Sequence, residues 1–135
     1  MTIVELQDLH DQVFASWVRE LGLEVRATTP DSVTLALPVH ARHVQAGGVM
    51  CGQALMAAAD TALVLAISHQ LGGFRPQTTV QLQTSFLRPV GKEVAELGVE
   101  ARILKSGRSL VFGEVTLRLP DGQVAARATS TSALR

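Results

Sequence analysis

The sequence predicts an α+β fold in which one long helix packs against a curved antiparallel sheet of five or six strands. From about Gly52 to Gln70 the chain is rich in Ala, Leu and Met and has no internal Gly or Pro, as expected of a core helix. The segments after it alternate apolar and polar residues between Gly and Pro turns, without crossover helices. Parallel strands need such crossovers, so a doubly wound parallel sheet is excluded.

A helix and a hairpin are predicted before the long helix. Within residues 5–20, apolar side chains recur at helical spacing: Leu6, Leu9, Val13, Phe14 and Trp17. This spacing predicts one amphipathic helix that ends near Gly22. Residues 23–28 and 33–39 alternate apolar and polar on either side of a Thr-Pro-Asp-Ser turn, which predicts a β-hairpin. Residues 40–48 then form a loop.

Four strands are predicted after the long helix. Leu71-Gly-Gly ends that helix, and Gly72 can adopt the left-handed conformation common at helix C-termini. The predicted strands are residues 77–87, 93–104, 109–119 and 123–133. Short turns join the last three, which therefore form an antiparallel meander.

Length and composition limit the class of protein. A chain of 135 residues predicts a single domain, residues 1–135. Twelve basic and twelve acidic residues cancel without a basic cluster, so neither nucleic acid nor a membrane is expected as a partner. Asp60 interrupts the longest apolar run, which falls short of the roughly 20 residues that span a bilayer. A lone cysteine and an N-terminus unlike a signal peptide predict a cytoplasmic protein.

Asp60 lies in the most apolar stretch of the chain, residues 54–67. Burying an unpaired carboxylate costs several kcal/mol, so this residue needs a partner or a use. Two interpretations are open from the residues alone. Asp60 either works in a functional site or caps a second helix that begins after it.

A glycine-rich segment, Gln45 to Gln53, leads into the long helix. The first N–H groups of a helix are unpaired donors at its positive end, so Gly52 is placed to stabilise a developing oxyanion. Eight residues separate Gly52 from Asp60, which puts the two on nearly the same face about 12 Å apart. One helix cannot bring both to one reacting atom, whereas two antiparallel copies can. The spacing therefore predicts a dimer, and two such dimers can assemble into a dimer of dimers.

The order of several segments resembles the hotdog-fold acyl-CoA thioesterases, specifically the PaaI-like (phenylacetyl-CoA thioesterase-like) branch. The segments are Leu21-Gly-Leu, Gly47-Gly-Val-Met-Cys-Gly-Gln-Ala-Leu-Met-Ala-Ala-Ala-Asp-Thr-Ala62, Val80-Gln-Leu-Gln-Thr-Ser-Phe-Leu-Arg-Pro-Val90 and Val124-Ala-Ala-Arg-Ala-Thr. The resemblance implies a hotdog fold and hydrolysis of an acyl-CoA thioester to the free acid and coenzyme A. It implies no metal and no cofactor other than the coenzyme A of the substrate.

The resemblance also implies roles for individual residues. Asp60 would be a general base that activates water, or a nucleophile that attacks the thioester carbonyl. The N–H of Gly52 would polarise that carbonyl, and Gln45 would contact the thioester or orient water. A Ser or Thr at the start of the strand after the helix assists from the partner subunit, and Thr78 is similarly placed, with Thr79 as the alternative.

Where this family has a His-Gly-Gly run, the present chain has Cys51, Gly52 and Gln53. The change removes an imidazole next to the carbonyl, and the Gln53 side chain can crowd or refill the site; both residues are expected to contact substrate. A thiol at a helix N-terminus can be nucleophilic, although a small buried thiol is the commoner case. Arg88 follows a strand and can meet the phosphates of coenzyme A, with solvated surface charge as the default interpretation.

Two other functions stay open. A hotdog dehydratase or hydratase acts on hydroxyacyl or enoyl thioesters and would need His40 or His43 in the site. A non-catalytic acyl-thioester-binding protein would fit the replacements at Cys51 and Gln53. The acyl group, aromatic or aliphatic, and its carrier, coenzyme A or acyl carrier protein, are not determined by the sequence.

Overall fold

The computed structural model describes all residues from Met1 to Arg135, and a six-stranded antiparallel sheet curves around one long helix. This confirms the predicted α+β hotdog fold. The helices are α1 (Ile3–Val13), α2 (Ser16–Arg19) and α3 (Gly52–Leu71). The strands are β1 (Glu24–Thr29), β2 (Ser32–Pro38), β3 (Gln77–Phe86), β4 (Glu96–Ser106), β5 (Leu110–Arg118) and β6 (Val124–Leu134). A short 3-10 turn spans Ala41–His43.

Helix α3 is continuous through Asp60, so this residue does not cap a second helix. The helix ends as predicted, with Gly72 in the left-handed conformation at φ 79°. By length and composition alone α3 is apolar enough to cross a membrane, with a mean hydropathy of 1.4, but 61% of that stretch is buried inside the fold. The expectation that the apolar run is too short was wrong: burial by the sheet, rather than length, marks α3 as a core helix.

The strand order in the sheet is β1-β2-β4-β5-β6-β3. The hairpin of β1 and β2 and the meander of β4, β5 and β6 are as predicted. Strand β3 pairs with β6 rather than with its successor β4, so it forms the far edge of the sheet. The sequence did not predict this pairing, because no turn joins the two strands.

The core lies between α3 and the concave face of the sheet, where 29 buried apolar residues form one cluster. The helix packs mainly on β2, β4 and β5, and much less on β3 and β6. One stripe of α3 therefore stays half-buried or exposed along the β3 side: Gln53, Met56, Ala57, Asp60 and Val64. Asp60 owes its partial exposure to this offset position of the helix.

The single N-terminal helix predicted for residues 5–20 is wrong. The backbone is extended at Phe14 and Ala15, with ψ values of 152° and 151°, and this divides the segment into α1 and α2. Phe14 packs against the core, while Trp17 remains 61% exposed. The apolar spacing continued through Phe14, but the chain turns there to bring the Phe14 ring inward.

Candidate active site

The loop before α3 is fixed by backbone hydrogen bonds. Gly47 and Gly48 have φ values of 100° and 80°, which L side chains rarely adopt. The N–H of Met50 donates to the carbonyl of Val90 at 2.8 Å, and the N–H of Cys51 donates to the carbonyl of His43 at 2.8 Å. These two bonds hold the backbone directly before Gly52 and so fix where α3 begins.

Gly52 is the first residue of α3, and its N–H has no acceptor within the chain. The preceding residue, Cys51, makes no side-chain capping bond. A pocket of about 360 Å³ opens at this point. Its lining residues are Gln45, Val49, Met50, Gly52, Leu55, Phe86, Leu87, Arg88, Pro89 and Val90. The pocket thus combines a free donor at a positive helix end with a largely apolar wall.

Two predicted polar residues, Gln45 and Arg88, lie at the mouth of this pocket. Both side chains are exposed. Arg88 is anchored by its Nη1, which donates to the carbonyl of Val124 at 2.8 Å. The structure therefore brings Gln45, Gly52 and Arg88 together at one opening.

Asp60 lies away from that opening, a little over two helical turns further along α3. It is half-buried, and Thr79 Oγ1 donates a 2.6 Å hydrogen bond to its Oδ1. Its Oδ2 has no partner within the chain. The carboxylate is therefore oriented through one oxygen and available through the other.

A β-bulge determines which threonine reaches Asp60. The register of β3 against β6 shifts between Thr79 and Gln81, so Val80 is an extra residue in the strand. The bulge leaves Thr79 on the helix side of the sheet, while Thr78 is exposed and pairs with Ala133. The bond from Thr79 to Asp60 is made within one chain, so the expected donation from a partner subunit is not needed for it.

The other predicted residues lie around the start of α3. Cys51 is half-buried, and Gln53 is exposed on the same face as Asp60. The rings of His40 and His43 have centroids 5.8 Å apart, and neither lines the pocket at Gly52. Burial lowers the pKa of His43, and the nearby charges of Arg42 and His40 lower it further, which favours the neutral imidazole.

Sequence reasoning missed Phe86, the last residue of β3. A Cβ atom added to Gly52 would lie 3.1 Å from Phe86 Cζ and 3.2 Å from Cε1, so the ring packs directly on this glycine. The residue belongs to the Thr-Ser-Phe-Leu-Arg-Pro segment that carries the family resemblance. The resemblance drew attention to this segment, but only the packing of β3 against the start of α3 shows that Phe86 contacts Gly52.

Solved structures with a closely similar fold come from several organisms. A thioesterase from Haemophilus influenzae matches with a TM-score of 0.88 at 24% identity, covering 100% of this chain and 91% of that chain. Zebrafish thioesterase superfamily member 2 matches with a TM-score of 0.87 at 22% identity, covering 100% and 99%. The E. coli PaaI protein from the phenylacetic acid degradation operon matches with a TM-score of 0.82 at 17% identity, covering 99% and 96%. At these identities the likeness shows the fold.

A search among curated proteins finds no match. The family model of the thioesterase superfamily, in contrast, matches residues 47–126, more than half of the chain. That range contains Gly47 and Gly48, all of α3 and β3, Asp60 and Thr79, and every lining residue of the pocket at Gly52 except Gln45. The chain therefore belongs to the thioesterase superfamily.

Proposed function

We propose that this protein hydrolyses acyl-CoA thioesters to the free acid and coenzyme A. The observation that carries the proposal is the unpaired N–H of Gly52, a residue that lines the pocket together with Gln45. A backbone donor at a helix N-terminus stabilises a carbonyl oxygen that becomes anionic in the tetrahedral intermediate. Membership of the thioesterase superfamily supports a thioester as the substrate.

Asp60 supplies the carboxylate of the proposed reaction. As a general base it takes a proton from the water molecule that attacks the carbonyl; as a nucleophile it attacks the carbonyl itself, and water then hydrolyses the mixed anhydride. In either route the intermediate collapses with loss of the coenzyme A thiolate. Thr79 leaves Oδ2 of Asp60 free for both roles. Gln45 orients the carbonyl or the attacking water.

The proposed site is shared between two subunits. Within one chain, Gly52 and Asp60 are separated by about 12 Å along α3, too far for both to act on one carbonyl carbon. A second α3, antiparallel across a two-fold axis, places Asp60 of one subunit close to Gly52 of the other. The exposed stripe of α3 that contains Asp60 is the surface that such a partner would cover.

The two edges of the sheet suggest where the subunits meet. Strand β1 is protected, because Gln7 Oε1 accepts from the N–H of Val25 and Gln7 Nε2 donates to the carbonyl of Leu23. Strand β3 has no such cover and contains no fully buried residue. Unpaired edge strands readily pair with another chain. We therefore place the proposed dimer contact along β3 and α3, with pairing of two dimers as a further step.

The carrier is proposed to bear phosphate groups, as coenzyme A does. Arg88 lies at the pocket mouth, and Lys92 lies beside Gly48 in the loop that leads to it. Both are exposed cations suited to phosphate oxygens. The carboxylate and the N–H supply the chemistry, so no metal or other cofactor is proposed. A PaaI-like thioesterase of the cytoplasm is the specific form of this proposal.

The two alternative functions have less support. A dehydratase or hydratase needs an imidazole at the thioester, but no histidine lines the pocket at Gly52. A binding protein without turnover is favoured by Cys51 and Gln53, which replace the family's His and Gly. The free carboxylate oxygen of Asp60 favours turnover.

Purified protein tested with a panel of acyl-CoAs separates these functions. Release of free thiol supports the proposed hydrolase. Hydration of enoyl-CoA without thiol release supports the dehydratase. Acyl-CoA binding without either reaction supports the binding protein.

Thr79→Val is expected to lower kcat roughly 10-fold with little change in KM, because the lost hydrogen bond orients the carboxylate rather than the substrate. Thr79→Ser keeps the hydroxyl and should restore most of the rate. Thr131→Val, a half-buried threonine on β6, is the matched control. Steady-state kinetics that show a rise in KM alone would contradict the orienting role.

A further inference from the structure

The ring of Phe86 packs against Gly52, the residue whose N–H is the proposed oxyanion donor. Its Cζ and Cε1 atoms would be 3.1 and 3.2 Å from a Cβ on Gly52, and the three nearest atoms at that position all belong to this ring. The ring is therefore in direct contact with Gly52. Anything that accepts a hydrogen bond from the Gly52 N–H must fit beside Phe86.

Phe86, like Leu87, lies outside the core, unlike three other apolar residues of the pocket lining. Met50, Leu55 and Val90 are 4%, 4% and 1% exposed and belong to the core. In the single chain Phe86 is 51% exposed at the end of β3, the strand that we place at the proposed dimer contact. The pocket therefore has a wall of core residues on one side and one large aromatic side chain, Phe86, that can be replaced by a smaller residue without disturbing the core.

The geometry limits the atoms next to the thioester carbonyl. A carbonyl oxygen bonded to the Gly52 N–H lies about 2.9 Å from the nitrogen, so the two atoms attached to the carbonyl carbon, the acyl α carbon and the thioester sulfur, must fit near the Phe86 ring. The sulfur carries the same CH2 group in every acyl-CoA, so only the α carbon can differ between substrates. An unbranched α carbon presents only hydrogen atoms there. A methyl branch adds a heavy atom where the ring already packs on Gly52.

We propose that Phe86 determines specificity by selecting acyl groups that are unbranched at the α carbon. This inference rests on the proposed thioester hydrolysis and names its substrate class. It also accounts for glycine at position 52, since a Cβ atom there would have to displace the Phe86 ring.

Two isomeric substrates, butanoyl-CoA and 2-methylpropanoyl-CoA, test the proposal because they differ only in branching at the α carbon. The native protein is expected to favour the straight chain by roughly 10-fold or more in kcat/KM. Phe86→Ala should bring the ratio close to one, mainly by raising the rate on the branched isomer. Phe86→Leu, which keeps an apolar side chain if the alanine variant folds poorly, should give an intermediate ratio.

Phe112→Ala is the matched control. Phe112 is 38% exposed on β5, next to the inward-facing Gly113, and does not line the pocket. Its loss should leave the isomer ratio unchanged. Equal kcat/KM for the two isomers in the native protein, or a ratio that the Phe86 variants leave unchanged, overturns the proposed role of Phe86 but not the proposed hydrolysis. No thiol release from any acyl-CoA overturns the proposed hydrolysis, and the inference with it.

Discussion

Asp60→Asn is expected to lower kcat for thioester hydrolysis by roughly 100- to 10,000-fold, which is the usual contribution of a positioned general base. Asparagine has nearly the same shape, and its carbonyl oxygen can still accept the hydrogen bond from Thr79. The fold and the position of the side chain should therefore survive. Thiol release followed with a chromogenic reagent measures the loss.

Asp8→Asn is the matched control for that variant, because Asp8 is an exposed carboxylate on α1. Its rate should equal that of the native protein. Thiol release that persists undiminished in Asp60→Asn would contradict the assigned role. If activity is instead lost in Cys51→Ser and kept in Asp60→Asn, the thiol of Cys51 is the nucleophile.

Gly52→Pro is expected to reduce kcat roughly 100- to 1,000-fold relative to Gly52→Ala, because proline has no N–H to stabilise the oxyanion. Proline suits the first position of a helix. The preceding Cys51 has the extended backbone that proline requires, at φ −68° and ψ 147°. The substitution therefore removes the donor and leaves the helix intact.

Gly52→Ala separates the donor from the steric effect. Alanine and proline both add a Cβ that meets Phe86 at 3.1 Å, but alanine keeps the N–H. We expect the alanine variant to lose some activity and the proline variant to lose most of it. Equal rates in the two variants would mean that the Gly52 N–H is not the donor. Circular dichroism checks that both variants keep α3.

The parts of the fold that local sequence signals determine were predictable. The glycine-rich entry and the Leu71-Gly-Gly ending bounded α3 to within about one residue at its C-terminus, where Gly72 adopts the predicted conformation. Short turns made the meander of β4, β5 and β6 predictable as well. The place of β3 was not, since its pairing with β6 joins segments that no turn connects.

The candidate site was predictable only as a set of residues. Spacing along one helix related Gly52 to Asp60, and the family resemblance added Gln45, which the structure finds in the same pocket as Gly52. The choice between Thr78 and Thr79 depended on the bulge at Val80, which alternation alone does not reveal. A bulge shifts every side chain on one side of it to the other face.

Phe86 shows the same limit more strongly. Its contact with Gly52 joins residues 34 positions apart through the edge strand and the helix start. Such a contact depends on the tertiary arrangement of β3 against α3. No periodicity or turn signal in the sequence encodes it.

The measurement that tests the shared site most directly is subunit complementation. Asp60→Asn and Gly52→Pro chains, each nearly inactive alone, are co-expressed with different affinity tags, and the mixed dimer is purified through both tags. A shared site predicts about half of the native activity, because one of the two sites then combines an intact Gly52 with an intact Asp60. A mixed dimer no more active than the separate variants would contradict the account.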